Sequence, residues 1–97
     1  MINVIIVDDS AFMRKVLSDL FAAEADFTVI DTARNGKEAI EKIKRLKPHV
    51  VTMDVEMPVL DGISALDTIM RESPTPVVMV SSLTREGADA TMKALEK

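Results

Sequence analysis

Val50-Val51-Thr52-Met53-Asp54-Val55-Glu56-Met57-Pro58-Val59-Leu60-Asp61-Gly62 is the stretch on which the reading of the fold turns. It runs apolar and β-branched until it delivers one carboxylate, Asp54, into a turn-forming segment with Pro58 and the Asp61-Gly62 pair, so it reads as a short buried strand closed by a loop. An acid at the end of such a strand has two readings. It can cap the loop or a nearby helix end. It can also be a nucleophile or metal ligand at the mouth of a parallel sheet, where α/β folds place their ligands.

The rest of the chain supplies the sheet. Asn3 to Val7 is another continuous β-branched run, the pattern of a strand covered on both faces, and it ends abruptly in Asp8-Asp9-Ser10. Ser10 or Asp9 suits a helix N-cap. Phe12/Met13, Val16/Leu17 and Leu20/Phe21 then recur at helical spacing, with Arg14, Lys15, Ser18 and Asp19 left for the other face, which predicts a helix from about Ala11 to about Ala25. Phe27 to Ala33 reads as a second strand, closed by the turn pair Asn35-Gly36. Lys37 to Leu46 is an amphipathic helix stopped by Pro48. After the opening strand, Gly62 to about Glu72 carries Ile63, Leu66 and Ile69/Met70 on one face, and Ser73-Pro74-Thr75-Pro76 breaks it. Val77 to Val80 is a further strand ending in Ser81-Ser82, and a weaker helix is expected from about Arg85 to Leu95.

Four β-α units alternate in this way, which implies a doubly wound parallel sheet with right-handed crossovers and helices on both faces. In the flavodoxin-like order the first strand lies between the second and third. The carboxyl ends of the first and third strands then adjoin, gathering Asp8, Asp9 and Asp54 around one crevice, with Ser81 arriving from the fourth strand. Carboxylates converging there repel one another, so binding a cation is favourable. Magnesium fits best, because it takes oxygen ligands, typically one or two carboxylates, and shares its shell with phosphates. A carboxylate can itself accept a phosphoryl group while the metal neutralises the incoming charge, and the Ser81 hydroxyl would donate to a phosphate oxygen.

Composition excludes several other classes. The 97 residues suffice for one small domain, and 47% hydrophobic with 29% charged residues is ordinary globular usage. The longest apolar run, Val4-Ile5-Ile6-Val7, is far too short to span a bilayer, and Met1-Ile2-Asn3 does not open a signal peptide, so a cytoplasmic setting is expected. There is no cysteine, and His49 is the only histidine, which excludes disulfides and zinc sites built on thiolates or imidazoles. A net charge of −4, without a basic run, Trp or Tyr, argues against nucleic acid as a direct partner. Met53, Met70, Met79 and Met92 fall on core-facing positions and read as packing. The three glycines, Gly36, Gly62 and Gly87, are scattered and make no phosphate-cradling loop.

Val7-Asp8-Asp9-Ser10, Met53 to Gly62, and Val80-Ser81-Ser82 together resemble the receiver domain of two-component response regulators, over the whole chain and in order. Asp8-Asp9-Ser10-Ala11-Phe12-Met13-Arg14, Glu56, and Ser81-Ser82-Leu83-Thr84-Arg85-Glu86-Gly87-Ala88 are similar to one branch, the receiver of the chemotaxis protein-glutamate methylesterase. The resemblance implies that Asp54 accepts a phosphoryl group from a histidine kinase. It implies that Asp9 and Asp54 hold magnesium with Asp8 assisting, that the backbone carbonyl of Glu56 completes the protein ligands, and that Ser81 is the switch hydroxyl. In the intact parent, phosphorylation would then regulate a methylesterase acting on chemoreceptor glutamates.

Receivers also carry a fifth β-α unit with a lysine that pairs with the phosphate and an aromatic residue. Neither is expected within these residues, and Lys93 and Lys97, on the last predicted helix, do not take that role. The chain is thus expected to be an incomplete receiver over residues 1–97, not itself an enzyme, with the methylesterase domain beyond it. Its fourth strand, Val77 to Ser81, would form a sheet edge open to dimerisation or strand exchange. Two other functions compete. One is a receiver-like module that binds protein partners without being phosphorylated. The other is a small phosphatase using Asp54 with Glu56 as acid-base partner, disfavoured because nothing encloses a substrate.

Overall fold

A computed structural model describes residues 1–80. Four strands and three helices alternate: β1 (Ile2–Val7), α1 (Ala11–Ala22), β2 (Phe27–Ala33), α2 (Gly36–Leu46), β3 (Val50–Asp54), α3 (Gly62–Glu72) and β4 (Val77–Val80). The strands form one parallel sheet in the order β2-β1-β3-β4, as the sequence pattern implied. Ser81, Met92, Gly87, Lys93, Lys97 and the helix expected from Arg85 to Leu95 lie outside the described residues. Among those described, no helix is long and apolar enough to cross a membrane.

The strand order determines where the helices go. The chain steps one way from β1 to β2 and the other way from β2 to β3 and from β3 to β4. Right-handed crossovers therefore set α1 on one face of the sheet and α2 with α3 on the opposite face. The core follows that division. Ile5, Val7, Val51 and Met53 alternate toward α2 and α3, where they meet Ala39, Ile43, Ala65 and Ile69 in one buried cluster. Val4 and Ile6 are equally buried and alternate to the other face, where α1 lies against β1 and β2. Because both faces of β1 and β3 are covered, their buried positions are mostly apolar, with Thr52 and Asp54 the buried polar residues of β3.

Each helix begins on a polar cap. Ser10, Asn35 and Asp61 accept hydrogen bonds from the amides of Met13, Glu38 and Ser64 at 3.2, 2.9 and 2.7 Å. Asn35-Gly36 is accordingly the start of α2 and not a turn closing β2. At the other end of α2, Lys47 takes the left-handed conformation, φ 48°, and its amide bonds to the Ile43 carbonyl, so the helix closes before Pro48.

Three expectations need correction. Helix α1 stops at Ala22, and none of its residues is fully buried; Phe12 and Leu20 remain 74% and 61% exposed. Periodicity shows which residues share a face, not whether anything covers it. Ile63 and Met70 are also largely exposed, so Met70 is not core packing. Helix α3 instead buries Gly62, Ala65 and Ile69, and Ile63 and Met70 lie roughly 80–100° round the helix from Gly62. The small residues let α3 approach the sheet closely and leave its larger ones on the flank.

Candidate functional site

The crevice lies at the carboxyl ends of β1 and β3. The parallel register pairs Val7 with Met53, so the next residue of each strand, Asp8 and Asp54, follows at the same level. Asp8 is 2% exposed and Asp54 1%, while Asp9 projects into solvent. Carboxylate oxygens of Asp8, Asp9 and Asp54 lie within 4.8 Å of one another. The three acids picked out in the sequence are therefore brought together as expected.

The connection from β1 to α1 is short and held by polar bonds. The Asp8 amide donates to the Ala33 carbonyl at 3.0 Å, continuing the ladder past the strand. The Ser10 amide donates to Asp8 Oδ1 at 2.9 Å, and Arg14 Nη1 donates to the Asp8 carbonyl at 2.8 Å. Sequence periodicity had assigned Arg14 to the outer face of α1. It is instead half-buried and reaches back six residues, an interaction for which the sequence carries no local signal.

Burial pushes the Asp8 carboxyl above the usual carboxylate range. The Ser10 amide opposes that shift, the negative charges of Asp54 and Asp9 add to it, and the Arg14 guanidinium again opposes it. Buried acid held beside like charge is a donor set that gains from a cation. All its donors are carboxylate oxygens, the chemistry that magnesium prefers.

The connection from β3 to α3 folds back on the acid that precedes it. The Gly62 amide donates to the Val55 carbonyl at 2.9 Å, and a Cβ at Gly62 would stand 2.0 Å from the Asp54 carbonyl oxygen. The Gly36 amide donates to the Leu60 carbonyl at 2.9 Å, tying the start of α2 to this loop. Within it the Leu60 amide bonds to the Pro58 carbonyl at 2.8 Å around Val59, whose φ is 70°. That is the rare, strained form of γ-turn, centred on a β-branched residue. Glu56 is exposed in this loop and is not one of the three converging carboxylates. Ser81, the remaining expected site residue, lies outside the described residues.

The family model for the response regulator receiver domain matches residues 4–97. A protein-glutamate methylesterase/protein-glutamine glutaminase of Vibrio vulnificus is 59% identical over 95 residues, which is 98% of this chain and 25% of that protein. One from Methanococcus maripaludis is 54% identical over 95 residues, 98% of this chain and 26% of that protein. The chain thus spans about a quarter of the length of the curated relatives it matches. Among solved structures, the response regulator domain of Thermotoga maritima CheB superposes with a TM-score of 0.83 at 55% identity, covering 99% of this chain and 72% of that one. CheY in a CheX-CheY-BeF3-Mg complex from Borrelia burgdorferi gives 0.79 at 40% identity, covering 98% of this chain and 71% of that one.

Proposed function

As the chain belongs to the response regulator receiver family, we propose that it is a phosphoryl-accepting switch in which Asp54 is the nucleophile. The observation that carries this reading is the convergence of Asp8, Asp9 and Asp54 within 4.8 Å at the ends of two adjacent strands, with Asp54 buried. An Asp54 oxygen would attack the phosphorus of a phosphohistidine. The P–N bond breaks as the new P–O bond forms, and the electron pair leaves on the imidazole, which is then protonated. Asp8, Asp9, Asp54 and the backbone carbonyl of Glu56 would hold magnesium, which when bound supplies charge neutralisation for the approaching phosphoryl group. The Ser81 hydroxyl is assigned to the phosphate as the switch group.

The chain's own residues have distinct parts in this scheme. Gly62 lets the β3–α3 loop close on the Asp54 carbonyl and so fixes the nucleophile's backbone. The Ser10 amide donates to Asp8 Oδ1 and so holds that carboxylate at the mouth of the crevice. Incubation with magnesium and a phosphohistidine donor should label the wild type and leave Asp54→Asn unlabelled. Equal labelling of the two would remove Asp54 from its role.

The wider setting is part of the same proposal. The relatives are named for glutamate methylesterase and glutamine glutaminase activity and are about four times longer. We assign residues 1–97 to the regulatory receiver of such an enzyme, with a cytoplasmic histidine kinase as donor and chemoreceptor glutamates as the eventual substrates. The non-phosphorylated binding module has no observation in its favour.

A further inference from the structure

Arg14, like Lys42, is a half-buried base that donates to a backbone carbonyl, but unlike Lys42 it forms no ion pair among the described residues. It is half-buried on the first turn of α1, its amide donates to the Ser10 carbonyl at 3.0 Å, and its Nη1 donates to the Asp8 carbonyl at 2.8 Å. Three carboxylates lie close by, yet among the described residues the guanidinium makes no ion pair with any of them. A charged donor has been directed to the back of Asp8, at the peptide, and not to its acidic front. Each bond of the β1–α1 connection thus restrains a different part of Asp8: the Ser10 amide one carboxylate oxygen, the Ala33 carbonyl the amide, and Arg14 the carbonyl.

We infer that Arg14 is a positioning residue for cation binding. Its bond to the Asp8 carbonyl keeps the β1–α1 connection in the form that converges Asp8 and Asp9 on Asp54, and it consumes no carboxylate oxygen in doing so. The inference rests on the reading of Asp8, Asp9 and Asp54 as a magnesium site. Groups that orient metal ligands commonly affect affinity tenfold or more when removed. Arg14 has the planar fork and fixed charge that suit a partly buried contact of this kind.

Two opposing effects make the test decisive. A cation close to three carboxylates weakens the binding of another cation, so if Arg14 acted through charge alone its removal would tighten magnesium binding. As a clamp, its removal must loosen it. Magnesium affinity of the 97-residue chain is measured by calorimetry for wild type, Arg14→Ala, Arg14→Lys and Asp9→Asn, with thermal unfolding in EDTA recorded alongside. Arg14→Ala is expected to bind magnesium about tenfold more weakly. Arg14→Lys keeps the charge and one donor, and its affinity should fall only about threefold, because a point donor replaces the fork. In phosphorylation assays the half-saturating magnesium concentration of Arg14→Ala should rise while the rate at saturating magnesium stays near wild type.

Equal or tighter binding by a folded Arg14→Ala overturns the clamp. Should that variant fail to fold, Arg14→Met, which keeps the apolar stem and removes the donor, carries the test, and equal or tighter magnesium binding by it overturns the clamp equally. A wild type that binds no magnesium, or binds it no better than Asp9→Asn does, overturns the metal reading itself, a result distinct from either of these.

Discussion

The two connections that frame the acidic crevice are built on opposite principles. The β1–α1 connection is three residues long, Asp8-Asp9-Ser10, and is held largely by side-chain hydrogen bonds from Arg14 and to Asp8 and Ser10. The β3–α3 connection runs from Val55 to Asp61 and is held by backbone bonds and by the absence of a side chain at Gly62. Losing one polar bond costs on the order of 1 kcal/mol and loosens the connection by degrees. A side chain inserted where two backbones touch has no such tolerance. The first loop can therefore be tuned residue by residue, whereas the second is either closed or displaced.

The sharpest way to break this contrast is Gly62→Ala. A methyl group 2.0 Å from the Asp54 carbonyl oxygen cannot be accommodated by a rotamer change, because the obstacle is backbone. The β3–α3 loop must shift and carry the Asp54 peptide with it. We expect a loss of about 3 kcal/mol in stability, read from urea unfolding, together with loss of phosphoryl acceptance. A variant that unfolds like wild type and still accepts phosphate would show that the second loop is as forgiving as the first.

A smaller effect sharpens the first loop. The Asp8 carboxyl is raised above its ordinary value, chiefly by burial, so the folded chain binds this proton more tightly than the unfolded chain does. That contribution to stability is complete below the ordinary carboxylate range and is lost as pH rises through the elevated folded value. At neutral pH the ionised Asp8 is consequently a cost in the absence of a cation. Asp8→Asn keeps an acceptor for the Ser10 amide and removes the charge, so without magnesium it should be more stable than wild type at pH 7 by on the order of 1 kcal/mol. The difference should close below about pH 4. Exposed carboxyls with lowered values, such as Asp61 under its bond from the Ser64 amide, titrate in the opposite sense but are common to both proteins. Guanidinium melts across pH in EDTA give the comparison directly. An Asp8→Asn variant less stable than wild type at pH 7 would show that the buried charge is already compensated.

The difference between the loops also separates what could be read in the sequence from what could not. Strands β1 and β3 were legible because a strand covered on both faces needs apolar residues at nearly every position, as in Val4–Val7; the same pattern located β4, but Val78 is 55% exposed, so that strand is covered on one face and not on both. The start of α3 was legible in the helical spacing that begins at Gly62, whereas Asp61, read as part of a turn, proves to be the N-cap. Strand order then came from the flavodoxin-like arrangement of alternating β-α units, and with it the meeting of Asp8, Asp9 and Asp54. The reach of Arg14 to a carbonyl six residues back leaves no periodic trace, since it depends on the path of the loop. The shallow burial of Phe12 and Leu20 depends on what lies beside α1 and not on their spacing. Nothing in Pro58-Val59-Leu60 announced a positive φ, because valine is a residue that conformation disfavours.

Val59 gives the smallest effect, and one in the favourable direction. It is 77% exposed, so its side chain has little packing to lose, and its φ of 70° places a β-branched residue where Asn is several-fold enriched and valine is an outlier. Strain of this type is worth about 1–3 kcal/mol when fully retained, and part of it is relieved by bond-angle adjustment. Val59→Asn should therefore stabilise the chain by about 0.5–1 kcal/mol, with the urea midpoint moved up and its slope unchanged. The γ-turn bond from the Leu60 amide to the Pro58 carbonyl requires no side chain and should survive the substitution. Val59→Ala provides the control, since it removes the β-branch but gains none of the left-handed preference of Asn, and it should recover less. If Asn and Ala are equally stable, the gain comes from removing an exposed apolar group, and the second loop holds no releasable strain at Val59.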